Sequence, residues 1–115
     1  MEDDQVPIST AEPIVEVAGE NDSCVTFVLT DEDHTLGNAV RYMLARRPGI
    51  DFVGYSIPHP SENRLNIRVQ STPKGETAAE AFDSSLKDLA VIAGIIADKF
   101  TDAVHESNTN EAMQQ

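Results

Sequence analysis

Residues 76–105 read ETAAEAFDSSLKDLAVIAGIIADKFTDAVH, and the period of this stretch decides the architecture. It contains no proline and one glycine, Gly94, and Ala, Leu, Ile, Glu and Lys dominate it, which predicts one long helix. Phe82, Leu86, Leu89, Ala93, Ile96, Phe100 and Ala103 recur at alternating steps of four and three. That is an apolar stripe, and its expected use is packing on a sheet. The stripe does not account for every apolar residue. At about 100° per residue, Val91 and Ile95 fall roughly opposite Phe82 and Phe100, among Asp88, Asp98 and Asp102, with Ile92 on the flank. From Leu89 to Ala97 the helix is apolar around its circumference.

A helix that is apolar on all sides is buried on all sides, whereas a two-layer domain covers only one. Leaving Val91, Ile92 and Ile95 in water forgoes on the order of 1.5–3 kcal/mol each. That is large beside a net stability of about 5–15 kcal/mol. Either a loop or tail of the same chain folds over the patch, or a second polypeptide does, and the second reading is favoured. The candidate dimerisation residues are Phe82, Leu86, Leu89, Val91, Ile92, Ile95, Ile96 and Phe100.

Upstream, the pattern changes to strands. Ile14, Val15 and Val17 precede the turn cluster Gly19-Glu20-Asn21-Asp22, and in Ser23–Thr30 Val25, Phe27 and Leu29 alternate with Cys24, Thr26 and Thr30, so these two runs are expected to form a hairpin. A capped helix follows from about Asp33 and ends before Pro48-Gly49. Its core face is Leu36, Val40, Met43 and Leu44, its outer side is Asn38, Arg41, Tyr42 and Ala45, and Gly37 has no role that periodicity explains. Ile50–Ile57 is rich in β-branched and aromatic residues, and Leu65, Ile67 and Val69 alternate with Arg64, Asn66, Arg68 and Gln70. The expected order is β-β-α-β-β-α, an α+β fold with two helices on one face of an antiparallel sheet.

The chain has 115 residues, 8 Lys plus Arg against 20 Asp plus Glu, and a formal charge of −12. That length predicts one domain. The charge argues against direct nucleic-acid binding and against an anionic membrane surface. Nowhere do 18 apolar residues run together, so no membrane span is expected. The opening MEDDQVPISTAE lacks a basic stretch followed by an apolar one, so no signal peptide is expected either. Cys24, the one cysteine, excludes an internal disulfide. Residues 1–12 read as a disordered acidic tail, 13–105 as the folded domain, and 106–115 as a disordered C-terminal tail. A small, acidic, intracellular domain is the expectation.

The run DHTLGNAVRYML from Asp33, followed by GIDFVGYSIPHPSEN and LNIRVQS, resembles the small alpha-like subunit of multisubunit RNA polymerases. With the long C-terminal helix, the likeness covers most of the folded part. HPSE at His59–Glu62 and the NIRVQ after it are closer to the subunit shared by polymerases I and III than to the polymerase II version. The resemblance implies an alpha-type dimerisation fold and a non-catalytic role in a nuclear and nucleolar enzyme making rRNA, 5S rRNA and tRNA. Its implied partners are the larger alpha-like subunit, as a heterodimer, and beyond it the second-largest and small polymerase subunits. Of the two arginines that follow the bacterial TLGN helix start and dock a large subunit, the first is matched by Arg41 and the second is replaced by Tyr42. Asn38, Arg41 and Tyr42 are accordingly the candidate large-subunit contacts.

Nothing in the sequence calls for catalysis, a cofactor or a metal. His34, His59 and His105 lie far apart and, with a single Cys, show no zinc spacing. No phosphate-binding glycine loop or nucleophile elbow is present. Asp31 and Asp33 read as a solvated helix start, His34 as a local hydrogen-bonding residue, His59 as a rigid loop residue or a neighbour contact, and Arg64 and Arg68 as a wet strand face. A free-standing homodimeric adaptor burying the same helix against its copy and the polymerase II counterpart are the alternatives.

Overall fold

The structure, a computed structural model, describes residues 15–114. Its elements are β1 (Val15–Asn21), β2 (Cys24–Thr30), α1 (His34–Ala45), β3 (Ile50–Ser56), β4 (Arg64–Ser71) and α2 (Ala78–Gln114). The expected β-β-α-β-β-α order is the observed one. The expected tail at 1–12 lies outside the described residues.

The four strands form one antiparallel sheet in the order β1-β2-β4-β3. Register makes one apolar face: Val25 is opposite Val69, Phe27 opposite Ile67 and Leu29 opposite Leu65, with Val53 and Tyr55 continuing the rows on β3. Both helices pack on that face, α1 over β3 and β4, α2 over β4 and β2. The core is Val25, Phe27, Leu29, Leu65, Ile67 and Val69 from the sheet, Val40 and Leu44 from α1, and Ala78, Ala81 and Phe82 from α2. Phe82 stacks on Phe27 with ring centroids 4.3 Å apart. On β3 the register slips between Ile50 and Phe52. That irregularity leaves Phe52 half exposed although it lies in an apolar run.

Local chemistry marks the helix starts. The Asp33 carboxylate accepts the Thr35 N–H at 2.9 Å and caps α1. At α2, Thr77 Oγ1 accepts the Glu80 N–H and Glu80 Oε1 accepts the Thr77 N–H, both at 3.1 Å, a reciprocal capping box. Before α1, Asp31 turns the chain in the left-handed region at φ 62°, a conformation Asp tolerates better than most residues.

Two expectations about the last helix are corrected. It does not stop at His105 but runs to Gln114, replacing the tail expected at 106–115. Extending an existing helix needs no new nucleus, and this segment has no proline or glycine to stop it. The Thr101 and Thr109 hydroxyls donate to the Ala97 and His105 carbonyls within the helix. Nor does the stripe pack on the sheet along its length. Phe82 is buried and Leu86 and Leu89 are half-buried, but every described residue from Ala90 onward is exposed. A 37-residue helix spans about 55 Å, while strands of seven or eight residues reach about 25 Å. The sheet ends first.

Candidate functional site

Most of the exposed large apolar side chains among the described residues lie on the projecting part of α2. Ile96 is 62% exposed and Phe100 69%. Together with Ile92 and Val104 they extend, at about 100° per residue, the same side of the helix that buries Ala78, Phe82 and Ser85. Val91 and Ile95, also exposed, sit roughly opposite Phe82 and Phe100, beside Asp88, Asp98 and Asp102. A Cβ on Gly94 would meet nothing within 4 Å, so this helix surface is open to close approach. Of the eight predicted dimerisation residues, Val91, Ile92, Ile95, Ile96 and Phe100 are thus exposed, Leu86 and Leu89 are shared with the chain's own core, and Phe82 is withdrawn by its stack on Phe27.

Helix α1 is held to the rest of the fold at both ends. At its start, the Tyr55 hydroxyl on β3 lies 3.1 Å from His34 Nδ1 and the two rings meet edge to face, a contact to the sheet rather than the local hydrogen bond expected of this histidine. Beyond its end, Arg47 Nε donates to Glu76 at 2.7 Å and Nη1 reaches Asp88 at 3.5 Å, tying α1 to both the approach and the fourth turn of α2. The hydrogen bond to Glu76 raises the Arg47 pKa; burial opposes it, and the fields of Glu76 and then Asp88 add smaller upward effects. Between these anchors Asn38, Arg41 and Tyr42 all face solvent, as their positions on the helix predicted.

Arg46 was missed as a candidate on this surface. It stands one turn after Tyr42, its guanidinium carbon 5.1 Å from the centre of that ring and its Nη1 donating to the Tyr42 hydroxyl at 2.9 Å. The i,i+4 spacing was the available signal.

The opposite face of the sheet is wet. Arg68 there reaches Cys24 Sγ at 2.8 Å and Thr26 Oγ1 at 3.5 Å, and Arg64 lies 4.0 Å from Glu62. These arginines are thus partnered within the chain. An open groove of about 330 Å³ runs along this face past Thr26, Phe52, Ser56 and Arg68. Among the described residues no three His, Cys, Asp or Glu side chains cluster to hold a metal, and no helix is long and apolar enough to cross a membrane.

Residues 24–99 match the family model of the RNA polymerase Rpb3/Rpb11 dimerisation domain. The chain is 47% identical over 92 residues to the DNA-directed RNA polymerases I and III subunit rpc19 of Dictyostelium discoideum, covering 80% of this chain and 78% of that protein. It is 40% identical over 98 residues to subunit RPAC2 of the same two polymerases in Danio rerio, covering 85% and 87%. A crystal structure of DNA-directed RNA polymerase subunit L from Thermoplasma acidophilum superposes with a TM-score of 0.70 at 18% identity, over 86% of this chain and 96% of that one, and shares its fold.

Proposed function

The chain belongs to the RNA polymerase Rpb3/Rpb11 dimerisation-domain family, and from that premise we propose that the projecting half of α2 is where it joins a larger alpha-like subunit. It is a non-catalytic assembly subunit of DNA-directed RNA polymerases I and III. Relatives named for those two enzymes favour this role over the polymerase II counterpart. Its place of work is the nucleus, including the nucleolus, where polymerase I acts.

One observation carries the reading: the apolar side of α2 that packs on the sheet up to Leu89 continues uncovered through Ile92, Ile96 and Phe100. Covering those side chains contributes about 1.5–3 kcal/mol for each one fully buried, so association adds to stability. The pair then serves as the platform on which the large catalytic subunits assemble. The outer face of α1, with Asn38, Arg41 and Tyr42 held in place by the anchors at Tyr55 and Glu76, docks the second-largest subunit.

The test is recovery of the larger alpha-like subunit with a tagged chain from cells. Ile96→Asp should lose it, whereas Asp83→Ser, on the exposed side of a covered turn, should retain it. Equal recovery with both would refute the assignment. A stable homodimer of the chain expressed alone would support the adaptor reading instead.

A further inference from the structure

We propose that the exposed arc of α1 bearing Arg41 and Arg46 is a carboxylate-binding surface for an acidic segment of another polymerase subunit, with Tyr42 acting as the positioning residue that holds Arg46. This rests on the reading of α1 as the docking face and specifies its chemistry.

The chain holds 8 basic residues against 20 acidic ones, yet three of the eight fall within 41–47. Arg47 is occupied by Glu76 and Asp88. Arg41 and Arg46 remain exposed. At about 100° per residue, Asn38, Arg41, Tyr42, Ala45 and Arg46 share an arc of roughly 140°, and none of them carries a carboxylate. In a protein of charge −12 this is a local positive surface on which, among the described residues, neither Arg41 nor Arg46 forms an ion pair, with Asp51 bordering it in a shallow groove beside Ala45.

Arg46 lies over the Tyr42 ring and gives Nη1 to its hydroxyl. A guanidinium has five N–H donors in a fixed fork, so one hydrogen bond leaves enough for a bidentate carboxylate. Stacking also fixes a side chain that would otherwise lose rotamer freedom on binding. Nucleic acid is the wrong partner for two arginines on so acidic a chain, since phosphate binding requires broad positive charge. A protein segment rich in Asp and Glu is the complementary occupant.

The experiment uses polymerase purified through the tagged chain and washed at increasing salt, scoring the second-largest subunit against the larger alpha-like subunit. Arg46→Glu is expected to reduce retention of the second-largest subunit about tenfold, and Tyr42→Ala about threefold. Tyr42→Phe keeps the stack and should stay near wild type. The double variant Tyr42→Arg/Arg46→Ala should recover most of the loss, because the cation then comes from position 42 itself. Recovery of the larger alpha-like subunit should be constant throughout. Wild-type retention in Arg46→Glu and Tyr42→Ala, alongside loss in Arg41→Glu, would overturn this inference while leaving α1 a docking face. Wild-type retention in all three would overturn both. A variant that also lost the larger alpha-like subunit would assign the pair to folding and overturn the proposal.

Discussion

The ring of Tyr55 occupies the space where a side chain on Gly37 would have to go: a Cβ there would stand 2.7 Å from its Cδ1 and 3.0 Å from Leu65 Cδ1. Gly37 sits inside α1, where glycine is disfavoured by about 1 kcal/mol relative to alanine. Its reason is this close approach of helix to sheet, which also lets the Tyr55 hydroxyl reach His34.

Gly37→Ala sets the two effects against each other. Helix propensity offers a gain of up to about 1 kcal/mol, and overpacking a filled core costs about 1–3 kcal/mol. Tyr55 and Leu65 are both packed into the core and cannot move away freely, so a net loss is expected. A lower midpoint in urea is the predicted result, and a higher one would contradict it.

Phe82 and Phe100 lie on one side of one helix and have opposite surroundings. Phe82→Ala removes the stack on Phe27 and should destabilise the fold by about 3–5 kcal/mol. Phe100, 69% exposed, should leave the unfolding of the lone chain within about 0.5 kcal/mol when changed to Ala while weakening capture of the larger alpha-like subunit. Thermal melts of the single chain combined with a binding titration separate the two behaviours.

The α2 capping box sets a pH dependence. The backbone and side chain of Thr77 bond to Glu80 and hold its carboxyl below the usual glutamate range. A depressed carboxyl stabilises the fold above its unfolded pKa, and that contribution is lost as pH falls through the folded value. Glu80→Gln, which can still accept the Thr77 N–H, should therefore be less stable than wild type at neutral pH and equal to it once the pH is well below the glutamate range. Parallel stability curves across that range would contradict this.

The order of elements and the core of the sheet were legible because Val25, Phe27 and Leu29, and again Leu65, Ile67 and Val69, alternate with polar residues. The pairing of β2 with β4 was not, since strand order depends on contacts distant in sequence. The point where α2 leaves the sheet was equally hidden. Ile96 and Phe100 have the same spacing as Phe82, and a period does not say whether the cover comes from the same chain. Gly37 stayed unexplained because the ring that excludes a side chain there lies 18 residues away on β3. Arg46 was within reach, four positions after Tyr42.

On the proposed assembly, the side of α2 beyond Leu89 lies against a larger alpha-like subunit. A photo-crosslinking residue placed at position 96 in the assembled polymerase tests it most directly, with position 83, on the exposed side of the covered part, as the control. A crosslink from position 96 to the larger alpha-like subunit, and none to it from 83, is the expected result. A polymerase in which position 96 labels no partner, or labels some other chain, would contradict it.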